Sequence, residues 1–439
     1  MIALPKNIQV EWSVNQAVKR SQEYFRQTQS PEGYWWGQLE SNTTMEAEYL
    51  MLCYFTGRND TERWRKICNY ILSKQRSDGS WGQYYEAPGD VSTSVECYFA
   101  LKLAGHSPDS KPLQKAREFI LSKGGIPKVR VFTKIWLALF GQWDWKGTPN
   151  MPPEMIFLPS WAPFNIYDFA SWARATVVPI LIILNRQPNC TVPESACVNE
   201  LYPTGRDGTD YTLAKPTSRF GWSKVLWWTD KLVGLYQRLP IHPFRGLAER
   251  KIIRWILEHQ ETDGSWAGIQ PPWVYSLIAL HTMGYGPTND AVKTGFEGFE
   301  AFALEDDENF HVQACISPVW DTCIAQLALL DSGLPPNDPV VQSSARWLMD
   351  KQIFTGGDWQ IRSKGTRPGG WSFEFNNLLY PDIDDASIVV MALDKVRLPE
   401  SEEFRRTSSI QRGVEWITGM QSKNGGWAAF DKDNNKKYL

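Results

Sequence analysis

The 439-residue chain is predicted to be all-α, a stack of two-helix repeats. A short pattern recurs along it, apolar residues fall at helical spacing after each copy, and strand-like alternation is weak throughout. The pattern is an aromatic, four residues, Gln, a polar turn with Gly, then Trp. Five copies are clear: Tyr24 to Trp35, Tyr70 to Trp81, Trp255 to Trp266, Trp347 to Trp359 and Trp416 to Trp427. Gln29, Gln75, Gln260 and Gln421 each precede their Trp by six residues, and Gln352 precedes Trp359 by seven. A degenerate copy at Phe119 to Gly125 has lost the Gln. The first two Gln are 46 residues apart, and Gln260 and Gln352 are 92 apart, so the unit is about 46 residues.

Each unit reads as a helix ending at the Gln, a Gly-containing turn, and a second helix after a polar cap. The second helices are expected in TTMEAEYLMLCYFTG, STSVECYFALKLAG, PPWVYSLIALHTMG, SPVWDTCIAQLALLDSG and DDASIVVMALDKVRL. The Gln and Trp take scaffold roles, an amide capping a neighbouring helix end under an indole. Stacked pairs of this length give either an open solenoid or a closed ring lined by one helix layer. The stretch from about Lys128 to Arg254 breaks the period and is expected to hold elaborations.

Composition excludes several classes of function. Forty-six Lys plus Arg against 49 Asp plus Glu give a net charge of -3 with no basic block, so nucleic acid is not an expected partner. The seven cysteines are scattered without zinc spacing, which fits free thiols in a reducing, cytoplasmic compartment and no metal. Lys6 and Glu11 interrupt the N-terminus and argue against a signal peptide. The longest apolar run, Val177 to Leu184, is too short to cross a bilayer. Aromatics make up 13 % of the chain, with 22 Trp, and that excess calls for a function.

Asp382, Asp384 and Asp385 supply one, in the run YPDIDDAS before the apolar stretch from Ile388. An Asp-rich helix start is also a plain cap. Three carboxylates this close cannot all ionise cheaply in a dry site, so one should stay protonated. The run aligns with the second-helix caps of the other units and is expected at a rim of the inner layer, facing aromatics. A neutral acid among π faces suits protonation of a carbon–carbon double bond, the cation being stabilised without a nucleophile. Glycoside hydrolysis by a carboxylate pair is the competing chemistry, but the polar residues a sugar site needs are sparse around the run. EDDEN at Glu305 to Asn309 lacks the closing Asp of a metal-diphosphate motif and reads as a solvated acidic turn.

The Gln-to-Trp pattern resembles the QW motif of triterpene cyclases, and DIDD followed by Ala-Ser resembles the acid motif of squalene-hopene cyclases. EGYWWG, TMEAEY, SWARATVV, GIQPPW, ISPVWDT and MQSKNGGW are similar to that family in the same order. The resemblance implies two (α/α)-barrels, with residues 1–35 and 316–439 in a catalytic barrel and 36–315 in an inserted one. It implies squalene as substrate and hopene or hopanol as product, with no cofactor. Asp384 would donate the proton, and Asp382 and Asp385 would tune and orient it. Trp172, Trp320, Phe373 and Phe430 would line the cavity, where the family usually has Tyr at the last position, and Ile269, Gln270 and Pro271 would border it.

The resemblance also implies a monotopic protein on the cytoplasmic side of the membrane, and it allows a homodimer. Lys224 to Phe244, with Trp227, Trp228, Leu232, Leu235 and Tyr236 near one helical face, is the candidate membrane-facing helix; an amphipathic core helix is the other reading. The family's C-terminal third, with a His that hydrogen-bonds the acid, has no counterpart here. The second barrel is therefore expected to be incomplete and the isolated chain to be impaired. Two other functions fit parts of the pattern: a class II diterpene cyclase, which would need a basic pocket and metal, and a non-enzymatic helical-repeat scaffold.

Overall fold

The computed structural model describes residues 6–213 and 221–436. Its helices are α1 (Lys6–Thr28), α2 (Thr44–Phe55), α3 (Thr61–Ser73), α4 (Val91–Leu103), α5 (Lys111–Ser122), α6 (Val131–Leu139), α7 (Ser171–Arg186) and α8 (Trp222–Gln237). There follow α9 (Arg245–Glu258), α10 (Gln270–Thr282), α11 (Asp290–Phe302), α12 (Pro318–Asp331), α13 (Pro339–Asp350), α14 (Ile383–Lys395) and α15 (Glu400–Gly419). The described strands form only two small antiparallel hairpins, Trp81–Gly82 with Gly89–Asp90 and Ala303–Glu305 with Phe310–Val312. The fold is all-α, and every expected second helix is present, as α2, α4, α10, α12 and α14.

The chain divides into two compact units. One joins the residues up to Gln38 with Ile316–Asn434, and the other comprises Leu39–Cys315 with the residues from Asn435 on. In the larger unit the helices differ by role. α2 and α4 bury all but one residue each, polar as well as apolar. α3 and α5 bury one stripe only, Ile67, Cys68 and Ile71 in the first and Leu113, Ala116 and Ile120 in the second. Polar caps start α3 and α4: Asp60 accepts from Arg63 N and Asp90 from Thr93 N.

The repeat is closed by hydrogen bonds. Gln29 Nε2 donates to Gly33 O (2.8 Å) and Val340 O (3.0 Å), and Gln75 Nε2 to Gly79 O and Pro112 O (both 2.9 Å). Gln260 Nε2 donates to Gly264 O (3.1 Å) and Ala291 O (2.8 Å). One bond therefore closes the turn and the other reaches the start of the next one-sided helix. Each Trp Nε1 donates to a carbonyl in its own preceding helix: Trp35 to Phe25, Trp81 to Ile71, Trp266 to Ile256 and Trp427 to Ile417. Gly33, Gly79 and Gly264 have φ of +107°, +84° and +88°, and a Cβ on them would lie 2.6, 2.5 and 2.1 Å from the neighbouring helix backbone. Only glycine fits there.

In the Gln352 copy the expected Trp is the wrong one. Gln352 Nε2 donates to Gly369 O (2.9 Å) and Ser409 O (3.0 Å), and it is Trp371 Nε1 that donates to Leu348 O (2.7 Å). The turn contains an insertion of 13 residues, and Trp359 sits inside it on a short 3-10 turn. Trp359 is buried, but its Nε1 has no partner among the described residues. The W371F variant should therefore lose about 1 kcal/mol more stability than W359F in urea titrations, because it removes a buried hydrogen bond as well as shrinking the ring. Equal losses would restore Trp359 to the repeat.

Candidate functional site

Asp382 is the N-cap of α14, and its Oδ1 accepts from Asp385 N at 2.7 Å. Two further backbone bonds pin this corner, Asp382 N to Trp371 O and Ile383 N to Ala429 O, both 2.9 Å. The helical turn carries Asp385 inward and Asp384 outward: Asp382 and Asp385 are buried, whereas Asp384 is exposed. Burial pushes the Asp385 carboxyl far above the usual carboxylate range, and the Asp382 charge and the hydrogen bond to Asp382 push it further. Asp382 is raised less, because burial is opposed by the Asp385 backbone N–H and side chain. Both carboxyls of the pair thus hold a proton more tightly than an ordinary Asp, Asp385 the more so.

One of the three aspartates was expected to stay protonated, and burial favours the protonated form of Asp385 more than that of Asp382. The expectation that all three face aromatics differs from what is seen, since position along the first turn leaves Asp384 in solvent. Phe373, Trp320 and Phe430 are each half-buried. Phe373 O accepts from Val319 N (3.4 Å) beside Trp320 at the start of α12, and Phe430 follows Ala429. These three aromatics and the aspartates thus belong to one corner of the smaller unit.

Trp172, Ile269 and Pro271 come together in the larger unit. With Met45, Phe132 and Val177 they line a cavity of about 370 Å³ whose polar lining includes Glu48, Arg130 and Tyr275. Gln270 is buried behind it, its Nε2 donating to Met45 O (3.3 Å). Glu48 and its neighbour Glu96 were not singled out from the sequence. Thr133 Oγ1 and Arg130 Nη2 both bond Glu96, the latter at 3.3 Å. Burial, then the Glu96 charge, raises the Glu48 carboxyl well above its ordinary range, while Arg130, Trp136 and Gln270 oppose the shift. A signal was available: glutamates inside TMEAEYLMLCYF and STSVECYFALKL interrupt helices that bury every side.

α8 has no buried residue among those described, so it is not a core helix. Trp222, Trp228, Leu232 and Leu235 are 48, 54, 66 and 63 % exposed. Asp230 holds it through Asn150, and Tyr236 through Glu154 (3.1 Å). No described helix is long and apolar enough to cross a membrane. The EDDEN run is an exposed hairpin turn closed by Asp306, which accepts from Glu308 N and Asn309 N.

Residues 18–308 match the family model for the squalene-hopene cyclase N-terminal domain, and residues 316–439 that for the C-terminal domain. The chain belongs to the squalene-hopene cyclase family. It is 47 % identical over 416 residues to a squalene–hopene cyclase of Alicyclobacillus acidocaldarius, covering 94 % of this chain and 65 % of that protein. It is 38 % identical to a dammaradiene synthase of Dryopteris crassirhizoma, covering 97 % of this chain and 62 % of the relative. A squalene hopane cyclase of Aspergillus fumigatus is 37 % identical, over 92 % and 56 % of the two chains. The chain therefore spans less than two thirds of the length of these relatives. Abietadiene synthase from Abies grandis aligns over 97 % of this chain and 44 % of its own at 15 % identity and a TM-score of 0.45, too weak a likeness to carry any argument.

Because the folded-state proton affinity of Asp385 exceeds its unfolded value, its contribution to stability is complete below the ordinary Asp range and is lost as pH rises toward the folded midpoint. The D385N variant, which needs no proton, should gain on the native chain by up to about 1.4 kcal/mol per pH unit between pH 5 and 8. Urea titrations at several pH values check this; a constant difference would mean that Asp385 is ionised in the folded chain.

Proposed function

We propose that this chain is a triterpene cyclase that acts on squalene, with Asp384 protonating a terminal double bond. The observation that carries the reading is the division of labour at the start of α14. Asp382 and Asp385 are buried beneath the turn, joined where Asp382 Oδ1 accepts from Asp385 N, and Asp384 is the member of the trio with an open face for substrate. An isolated double bond is a weak base, so it needs a strong acid whose conjugate base is stabilised as charge develops. The Asp385 proton and the backbone N–H groups of the first helical turn supply that stabilisation.

Trp320, Phe373 and Phe430 then carry the early cation through their π faces, and Trp172 a later one. Ile269, Gln270 and Pro271 shape the cavity in the larger unit. Glu48 lines that cavity beside Arg130 and, with its proton affinity raised by burial, is suited to taking up the proton that a late cation releases as the double bond of a hopene forms. Capture of water at the same cation gives hopanol. The route to hopene is an isomerisation and the route to hopanol adds one water; neither needs a metal or cofactor. The 47 % identity to a squalene–hopene cyclase supports hopene as product, while the dammaradiene synthase shows that relatives of similar likeness make other skeletons. The exposed apolar face of α8 fits a monotopic protein that takes squalene from a membrane surface.

Incubating the chain with squalene and analysing products by mass spectrometry tests the reading. Pentacyclic product is expected, and D384N should lower its rate by about a thousandfold or more. Undiminished product from D384N would sink the assignment. For the membrane, L232D combined with L235D should abolish co-sedimentation with phosphatidylcholine vesicles while leaving the thermal melt of the chain unchanged; retained binding would remove α8 from the membrane face.

A further inference from the structure

The repeat interface has a donor side and a receiver side, and each leaves its own mark. On the donor side are the Gln amide, the turn glycine and the Trp. On the receiver side the carbonyl that takes the second Gln bond belongs to Val340, Pro112, Ala291 or Ser409. Three residues further on, Ser343, Lys115, Thr294 and Arg412 lie against the turn glycine, 2.6, 2.5, 2.1 and 2.4 Å from where its Cβ would be. The residue after each of these is small and buried: Ser344, Ala116, Gly295 and Gly413. A Cβ on Gly295 would lie 3.1 Å from Trp266, and one on Gly413 would lie 2.8 Å from Trp371, so the repeat Trp fills that space.

The fifth copy has a complete donor side and no receiver. Gln421 Nε2 donates to Gly425 O (2.8 Å) and Trp427 Nε1 to Ile417 O (2.8 Å), as in the other copies. Among the described residues, however, nothing takes a second bond from Gln421. A Cβ on Gly425 (φ +88°) would meet nothing within 4 Å, and Trp427 is 47 % exposed where Trp35, Trp81, Trp266 and Trp371 are buried.

α1 has the opposite gap. A receiving carbonyl lies 12 residues before the Gln that ends its own helix, Val340 before Gln352 and Ser409 before Gln421. Counted back from Gln29, the same spacing makes Ala17 the acceptor, puts Arg20 where a glycine would rest, and puts Ser21 at the small position. All three are exposed, and none of the described Gln side chains donates to Ala17 O. α3 and α9 also lead into a Gln, yet Ile67 and Ile252 fill the small position there and leave no room for an indole. Neither of those helices receives a Gln, so the small residue marks a receiver and α1 carries the mark.

We propose that the edge from Gln421 to Trp427 docks on α1 of a second copy of this chain, continuing an interface that the fold already makes four times. Gln421 Nε2 donates to the partner's Ala17 O, Gly425 rests on the backbone of the partner's Arg20, and Trp427 packs over the partner's Ser21. The two edges are unlike, so the contact runs head to tail, and it closes when each of two copies docks on the other.

Sedimentation velocity of the intact chain from about 1 to 100 μM reads the association. Dimer should form within this range. S21L fills the small position on an exposed face, and G425A puts a methyl where the isolated copy has open space. Each should raise the dissociation constant by about tenfold or more while the thermal melt stays cooperative. An equimolar mixture of S21L and G425A should associate more tightly than either alone, because the first keeps its donor edge and the second its receiver edge. The α8 variant L232D/L235D should dimerise as the native chain does. A chain that stays monomeric overturns the proposal, as does a dimer that S21L leaves intact, a result that decides alone if G425A does not fold. A mixture no tighter than its components, or loss of the dimer in the α8 variant, overturns it too.

Discussion

The side-chain amide of one Gln per repeat is the contact on which this architecture rests. Its two N–H groups close a turn and reach the next one-sided helix, and both bonds are made in four copies. A carbonyl at a helix end that is taken from water needs a donor, and the amide supplies one to each side of the repeat interface. With that interface fixed, the glycine of the turn can lie against the neighbouring backbone, and α2 and α4 can bury nearly their whole circumference.

Such burial makes any polar group on an inner helix expensive, which is why the polar residues found there cluster. Glu48 and Glu96 share Arg130, with Gln270 beside the first and Thr133 on the second; Asp382 accepts from Asp385 N. In both places the cost of desolvation is met by raised proton affinity and by donors already held in place. The scaffold thus produces perturbed acids wherever a carboxyl enters its inner layer, and those are the groups that acid–base chemistry uses.

Much of this was legible in the chain. Second helices showed through apolar residues at helical spacing, and the repeat showed through residues whose bonding is local: a Gln and a Gly four apart, and a Trp bonded ten residues back. Trp371 was missed because its turn is longer by 13 residues, and the nearest Trp by count was Trp359. Spacing finds a motif only while loop length is constant, whereas the hydrogen bonds persist through an insertion. The aspartates were visible as a trio, but which one lies outward depends on the phase of the first helical turn, and that phase follows from Asp382 acting as the cap. Glu48 and Glu96 lay in plain view as charges inside apolar helices. They went unread because their partners, Arg130 and Gln270, come from distant parts of the sequence.

Trp371 belongs to both stories. Its indole N–H closes a repeat turn on Leu348, and its carbonyl holds Asp382 N–H at the corner of the acid. The acid therefore has no hinge of its own: any displacement of that corner must also tear a repeat turn. Positional noise at the reacting carboxyl is capped by the stiffness of the framework, and accuracy at the site is inherited from residues whose only evident task is to keep helices stacked.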